Sequence, residues 1–287
     1  AVVYPCSRDA LIGALQAHAA GLITPVLVGP RTQIAAIAAA EKLDLGACRI
    51  EDVSEPVAAT QRAAAMVAEG NAEALMKGSL HTDELMSVIV SRAAGLRTAR
   101  RISHVFVMDI PDHDRLLLIT DAAVNIAPDL KVKADIVRNA IDVAHAIGIA
   151  EPRVALLSAV ETVNSGIPST VDAAALREMA RRGEITGGIV DGPLAFDNAI
   201  SAEAARIKGI SSPVSGAVDI LVVPAFEAGN ILYKSLVYLG AALAAGVVLG
   251  TRVPVILTSR ADNPACRIAS AAVACLLAHH RRKGGAA

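Results

Sequence analysis

The scarcity of aromatic side chains is the feature that most restricts how this chain can pack. Apolar residues make up 54% of the 287 residues, but Phe, Trp and Tyr together make up only 2%. The aromatic residues are Tyr4, Phe106, Phe196, Phe226, Tyr233 and Tyr238. The core must therefore be built from Ala, Val, Ile and Leu, which suits helices packed on a mostly parallel β-sheet.

Charge and hydropathy exclude two classes of protein. The formal net charge is -1 and stacking rings are few, whereas nucleic-acid binders need excess positive charge or aromatic platforms. Mean hydropathy is +0.50. The longest apolar stretch, around 239–249, contains glycine and is shorter than the ~20 residues that span a bilayer. We therefore expect a chain that binds neither nucleic acid nor a membrane.

The cysteines indicate the compartment. Cys6, Cys48, Cys266 and Cys275 show neither C-x-x-C spacing nor a zinc-type histidine pattern. We therefore predict reduced cysteines in the cytoplasm, with no metal site and no disulfide framework. The chain starts at Ala1 rather than Met, which is consistent with a domain of a longer protein or with a processed chain.

Helix-type and strand-type segments alternate along the chain, as in an α/β fold. Helical periodicity covers 9–21, and the β-branched run 24–30 predicts the next strand. Runs 103–109 and 115–121 flank a turn cluster and predict a β-hairpin. A long amphipathic helix over 130–148 precedes a second strand-helix series. We predict two α/β lobes, namely residues 1–128 plus 254–287, and residues 129–253.

The first polar cluster, Lys77-Gly-Ser-Leu-His-Thr-Asp83, follows a predicted strand, where open α/β sheets bind ligands. Glycine allows close approach of the backbone, Ser79 and Thr82 offer hydroxyls, and Lys77 supplies a positive charge for an anion. His81 is a candidate general acid or substrate contact. The alternative is a capped helix start with a surface lysine.

Two further clusters also follow predicted strands. The first begins at Asp121 and ends at Asn125, and the second, Asp-Gly-Pro-Leu-Ala-Phe-Asp-Asn, contains Asp191, Asp197 and Asn198. Aspartates on both sides of a Gly-Pro turn favour a loop that faces a cleft, although turn chemistry alone also explains them. Because the spacing fixes no third ligand, we predict no metal ion here.

The last two clusters lie in the C-terminal third. Glu227 and Asn230 follow an apolar run, and their alternative role is to start a helix. Ser259, Arg260 and Asp262 open the final predicted helix. There, backbone N–H groups and Arg260 can bind phosphate, Ser259 can stabilise an oxyanion and Asp262 can exchange a proton. An ordinary helix cap with a solvated arginine is the alternative.

Together these clusters carry a family resemblance. In chain order, the sequence resembles the phosphate acetyl/butyryltransferase family in the blocks KGSLHTDELM at 77–86, DGPLAFDNA at 191–199, DILVVP at 219–224, EAGN at 227–230 and ILTSRAD at 256–262. The similarity is greater to the butyryltransferase-like branch, whose members are sometimes fused behind an enoyl-CoA hydratase domain.

The resemblance implies a fold and an activity. The implied fold is two-lobed, with mostly parallel sheets flanked by helices as in isocitrate and isopropylmalate dehydrogenases, and with the active cleft between the lobes. The implied reaction is acyl-CoA plus phosphate to acyl phosphate plus CoA, with an acetyl or butyryl group, by direct attack of phosphate on the thioester. Coenzyme A is then a substrate rather than a bound cofactor, and we expect a homodimer.

The resemblance also implies roles at the C-terminal cluster. Ser259 and Arg260 match a pair implicated in transition-state stabilisation and phosphate binding. In the acetyltransferase branch the acid that deprotonates the thiol lies further along, roughly where this chain has Cys266. Asp262 is therefore the substitute candidate for the base.

Two other functions fit the same scaffold, because a fold does not determine its chemistry. One is a metal- and NAD-dependent hydroxyacid dehydrogenase, although the chain lacks a G-x-G-x-x-G fingerprint. The other is a protein that binds coenzyme A without turning it over.

Overall fold

The computed structural model describes residues 1–46, 48–258 and 264–284. Contacts divide the chain into two units. The first unit comprises 1–102 and 245–287, and the second comprises 103–244. The chain therefore leaves the first unit once and returns to it at the C-terminal end.

Strands and helices alternate through the first 102 residues. In chain order the elements are β1 (Val2–Val3), α1 (Arg8–Ala19), β2 (Val26–Gly29), α2 (Arg31–Ala40), β3 (Arg49–Asp52), α3 (Pro56–Ala68), β4 (Leu75–Lys77) and α4 (Thr82–Ile89). Local chemistry fixes several helix starts. Ser7 caps α1 by accepting a hydrogen bond from the Ala10 N–H, and Pro56 is the first residue of α3.

The second unit contains the next series. Its elements are β5 (Ser103–Asp109), β6 (Leu117–Thr120), α5 (Leu130–Ala146), β7 (Arg153–Leu157), α6 (Pro168–Arg181), β8 (Ile189–Leu194), α7 (Phe196–Ile200), α8 (Ala202–Ile207), β9 (Ile220–Val222) and α9 (Phe226–Tyr238). The strand order in this unit is β5-β6-β9-β7-β8. Strands β5 and β6 pair antiparallel, so the predicted hairpin is confirmed, and the other pairs are parallel.

The last elements return to the first unit and complete its sheet. They are β10 (Leu243–Leu249), β11 (Val255–Ile256) and α10 (Pro264–Arg282), with the first two residues of β10 counted in the second unit. The strand order is β3-β2-β1-β4-β11-β10. All neighbouring pairs are parallel except β10 with β11. The predicted mostly parallel α/β architecture is confirmed in both units.

Small aliphatic side chains fill the core of the first unit, as the composition predicts. Leu11 and Ala14 of α1, Leu27 of β2 and Met76 of β4 pack with Ala271 of α10 in one buried cluster. Parallel strands buried on both faces carry such continuous apolar runs.

Two of the few aromatic rings meet in the core of the second unit. Phe106 of β5 stacks on Tyr233 of α9 with ring centroids 3.8 Å apart and an interplanar angle of 4°. Both residues are at least nine-tenths buried. Stacked aromatic pairs contribute more than their buried area alone, so this contact joins α9 firmly to its sheet.

The unit boundaries differ from the lobes that we expect from the sequence. The change of unit occurs after Ile102 and after Ala244, rather than near 128 and 253. The hairpin of β5 and β6 accounts for the first difference, because β6 pairs with β9 of the second unit.

The basic residues near the C-terminal end are part of α10. Helix α10 continues to Arg282, and the Arg281 guanidinium donates hydrogen bonds to the carbonyl oxygens of Thr251 and Arg252 at 3.1 and 3.2 Å. Arg282 forms an ion pair with Glu73 at 2.9 Å. Within the described ranges, no helix is both long enough and apolar enough to cross a membrane.

Candidate active-site loops

Two neighbouring loops of the first unit are bonded to each other at the carboxyl ends of β1 and β4. The Gly78 N–H donates to the Val3 carbonyl at 2.8 Å, and the Ser79 N–H donates to the Tyr4 carbonyl at 2.9 Å. The Ser79 hydroxyl donates to the Tyr4 carbonyl at 2.8 Å and accepts from the Cys6 N–H at 3.0 Å. This hydroxyl therefore bonds to the chain itself, and its only hydrogen is already used.

Glycine at position 78 is required by this contact between the loops. A Cβ atom at Gly78 would overlap the carbonyl oxygens of Val3 and Tyr4. The close approach that the sequence predicts is therefore present, and here the approaching groups are carbonyls of the chain.

Lys77 is the last residue of β4 and is only 3% exposed. Strand β11 pairs parallel with β4, and Ile256 lies opposite Met76. The chain leaves β11 beside the end of β4 and reaches Thr258, whose hydroxyl accepts a hydrogen bond from Arg267 at 3.1 Å. Lys77 thus ends β4, and Thr258 follows the parallel strand beside it.

The three predicted catalytic residues, Ser259, Arg260 and Asp262, lie outside the described residues.

His81 and Thr82 stand at the start of α4. The His81 N–H donates to the Glu84 carboxylate at 2.7 Å, and the imidazole is exposed. Thr82 is the first residue of the helix and is half-buried. His81 therefore ends the loop that follows Lys77, and Thr82 begins the helix after it. Nearby, burial raises the pKa of the Cys6 thiol to about 11, so this thiol is protonated at neutral pH.

A second pair of loops meets in the second unit, at the carboxyl ends of the parallel strands β6 and β9. Asn125 is buried and lies in the loop after β6. Asn230, in the second turn of α9, donates a hydrogen bond from Nδ2 to the Ala122 carbonyl at 3.3 Å. The structure therefore brings the loop of Asn125 against the helix that carries Asn230. Glu227 lies in the first turn of α9 and is exposed.

Asp191 lies within β8 and not in the loop that the sequence predicts, because the strand continues through the Gly-Pro pair to Leu194. Its carboxylate accepts hydrogen bonds from the Ser212 hydroxyl at 2.5 Å and from the Gly192 N–H at 2.9 Å. Arg177 lies 3.6 Å away. These contacts give Asp191 a clear structural role within its unit.

Asp197 and Asn198 differ sharply in exposure although they are adjacent. Lys208 contacts Asp197 at 2.8 Å, and its hydrogen bond holds the pKa of this largely exposed carboxyl below its usual value. Asn198 is fully buried, and its amide nitrogen contacts Glu161 at 3.4 Å.

Asp121 orders the loop after β6, a role that the sequence does not predict. Asp121 is read from the sequence as part of a site loop, but its carboxylate is turned onto the N–H groups of that loop. The sequence signal for this role is local, because an aspartate at the start of a loop commonly accepts hydrogen bonds from N–H groups two and three residues later.

Throughout the described ranges, no group of three or more metal-ligating side chains is close enough to hold a metal ion.

Comparisons with known proteins identify the family. The sequence profile of the family described as phosphate acetyl/butaryl transferase matches residues 49–275. A phosphate acetyltransferase of Rhizobium meliloti is 61% identical over 281 residues, which cover 98% of this chain and 89% of the relative. A phosphate butyryltransferase of Clostridium beijerinckii is 46% identical over 88% of this chain and 84% of the relative.

Solved structures agree with this assignment. A branched-chain phosphotransacylase from Enterococcus faecalis V583 has a TM-score of 0.81 and 32% identity, over 97% of this chain and 98% of that chain. A 4-hydroxythreonine-4-phosphate dehydrogenase from Burkholderia phymatum has a TM-score of 0.56 at 13% identity, over 96% of each chain, which shows a shared fold alone. The dehydrogenase-like fold is thereby confirmed.

Fold and relatives together define the chain as an α/β acyltransferase enzyme. It belongs to the phosphate acetyl/butyryl transferase family.

Substituting Gly78 with alanine tests the contact between the first two loops. We expect Gly78→Ala to lower the free energy of unfolding by about 1–3 kcal/mol, because the new methyl group must displace backbone carbonyls. Denaturant unfolding measures the change. Gly29→Ala is the matched control, since a Cβ there would lie 3.5 Å from its nearest neighbours. Equal stability of the two variants would contradict the requirement for glycine.

Proposed function

We propose that this chain transfers an acyl group from acyl-CoA to inorganic phosphate, giving an acyl phosphate and free CoA. Membership of the family supports the reaction class. The observation that carries the proposal is the pairing of β4 with β11. This pairing puts the buried Lys77 beside the strand that leads, through Thr258, directly into the Ser259-Arg260 sequence.

The chemistry needs positioning and charge neutralisation more than base catalysis. Phosphate is substantially dianionic at neutral pH, so one of its oxygens can attack the thioester carbonyl directly. The carbonyl oxygen then carries the negative charge of a tetrahedral intermediate, which preorganised donors stabilise. Collapse of the intermediate breaks the carbon–sulfur bond, and the departing thiolate takes up a proton. No covalent enzyme intermediate is required.

We assign the roles in this reaction to four residues. Arg260 and Lys77 hold the phosphate, because a guanidinium binds phosphate oxygens with two donors and a buried ammonium is little screened by water. Ser259 stabilises the oxyanion. Asp262 exchanges the proton with the thiol, as an acid in the forward direction and a base in reverse.

The second pair of loops is our candidate for contacts to the acyl-CoA. Asn125 lies in the loop after β6 and Asn230 lies in α9, and the donors and acceptor of a side-chain amide suit the amide groups of a pantetheine chain. His81, Thr82 and Glu227 remain predicted substrate contacts at the starts of α4 and α9. We assign no step in the reaction to Ser79, Asp191, Asp197 or Asn198.

We further propose that the enzyme works in the cytoplasm, with acyl-CoA and phosphate as its substrates and with no permanently bound cofactor. The four cysteines lack C-x-x-C spacing and are all present as thiols, which supports a reducing compartment.

We propose that the enzyme is a homodimer that uses one face of α9. Ile231 is 66% exposed and Tyr238 is 71% exposed, and both lie on the same side of the helix, two turns apart. Leu239 follows directly and is 89% exposed. Large apolar side chains exposed near one another on a helix are typical of interaction sites, and twofold symmetry lets the same face pair with itself.

Replacing Ile231 with aspartate tests the homodimer. We expect Ile231→Asp to shift the protein from dimer to monomer, because the twofold axis would bring two buried carboxylates together. Sedimentation velocity measures the change. Ile207→Asp is the matched control, since Ile207 is 70% exposed on α8 and should leave the dimer intact. A monomeric wild-type protein, or dimeric Ile231→Asp, would contradict the proposal.

Removing the Arg260 guanidinium tests the central assignment. We expect Arg260→Ala to lower turnover of acyl-CoA with phosphate by about 10²-fold or more, because a key charge-stabilising contact is lost. Phosphate-dependent release of the CoA thiol, measured with acetyl-, propionyl- and butyryl-CoA, reports the activity and ranks the substrates. Arg206→Ala, which removes an exposed arginine paired with Glu203, should retain wild-type turnover. Wild-type rates for Arg260→Ala would overturn the assignment.

Lys77 is tested separately by its effect on the two substrates. We expect Lys77→Met to raise the KM for phosphate about tenfold while the KM for acyl-CoA changes little, because methionine retains the buried volume but loses the charge. Lys131→Met, on the exposed side of α5, is the control. An equal rise in both KM values would indicate a general loss of structure and contradict a phosphate contact.

A further inference from the structure

A buried carboxylate directly after β6 accepts four hydrogen bonds from N–H groups of one loop. Asp121 is 3% exposed. Its Oδ1 accepts hydrogen bonds from the N–H groups of Ala123 and Val124, both at 3.0 Å. Its Oδ2 accepts from the Asn125 N–H at 3.1 Å and from the Asn125 side-chain Nδ2 at 2.6 Å.

This pattern cannot be reproduced by an uncharged side chain. A carboxylate offers about four acceptor sites and no donor, and at Asp121 four N–H groups use them. Burial of a carboxylate is unfavourable unless such partners compensate for the lost water. A carboxamide at this position would present an NH₂ group to N–H donors, and half of the bonds would be lost.

The loop that Asp121 organises is itself bonded to α9. Asn230 donates to the Ala122 carbonyl at 3.3 Å, and the Phe226 N–H donates to the Ile126 carbonyl at 3.1 Å. At Gly229, a Cβ atom would lie 2.8 Å from the Ala122 side chain, so only glycine allows this approach. The loop that carries Asn125 is therefore held both by Asp121 and by α9.

We propose that Asp121 is a positioning residue for acyl transfer, which holds the loop of Asn125 against α9, where Asn125 and Asn230 are the proposed contacts to the acyl-CoA. The proposal rests on the proposed function, in which these two amides contact that substrate. Asp121 itself touches no substrate and moves no proton.

The test compares the KM values for acyl-CoA and for phosphate. We expect Asp121→Asn to raise the KM for acyl-CoA about tenfold, the loss expected for hydrogen bonds withdrawn from a bound ligand. The KM for phosphate should not change, because Lys77 and Arg260 hold the phosphate. Hydrogen–deuterium exchange should speed up at the amides of Ala123, Val124 and Asn125.

A matched control removes a similar carboxylate elsewhere. Asp219 is 7% exposed and accepts a hydrogen bond from the Arg153 N–H at 2.8 Å, at the amino end of β9. Asp219→Asn should lower stability but leave both KM values unchanged. If it raised the KM for acyl-CoA as Asp121→Asn does, the effect would reflect general destabilisation and the positioning role would be overturned.

Asp121→Glu keeps the charge but shifts it by one methylene, and it serves if Asp121→Asn does not fold. The same rise in the KM for acyl-CoA is expected. Unchanged KM values together with faster amide exchange would overturn the positioning role and leave the acyltransferase proposal intact. A wild-type enzyme with no phosphate-dependent thiol release would overturn the proposed function and the positioning role together.

Discussion

The close packing of small aliphatic side chains between helices and parallel strands is the constraint on which both units depend. Ala14 of α1 and Ala271 of α10 are fully buried in the same cluster as Leu27 of β2. Alanine at such positions lets helices approach the sheet closely, and every interior neighbour must then fit to within a methyl group. This packing holds the strands in place, so the loops at their carboxyl ends start from fixed positions.

At those loops, many polar groups bond to the chain itself. The Ser79 hydroxyl bonds the loops after β1 and β4 to each other, and the Asp121 carboxylate accepts hydrogen bonds from N–H groups of the loop after β6. The Asp191 carboxylate accepts a hydrogen bond from the Ser212 hydroxyl. Loops at an active site need such fixed partners, because a backbone that is free to move cannot hold donors where charge develops. The position of Lys77, at the end of β4, depends on the same loops.

Much of the fold could be predicted because its signals are local. Strand β5 begins and ends where the apolar run 103–109 does, and the turn cluster after it correctly predicts the hairpin with β6. Two short strands were not predicted. Val2–Val3 is too short for any periodicity to show, and Arg49–Asp52 lacks buried residues because it lies at the sheet edge. The sequence also ends β8 too early, since a Gly-Pro pair indicates a turn unless the partner strand is known.

The sequence by itself determined the α/β class, the alternation of elements and the set of polar loops in which the chemistry must lie. It did so because apolar periodicity and turn residues act over a few neighbours in the chain. Only the tertiary structure decided which of those polar groups bond to the chain. The hydroxyl of Ser79 meets a carbonyl 75 residues away, and strand order puts β4 beside β11 and β6 beside β9. Such pairings depend on the packing of the whole sheet, which no local pattern encodes.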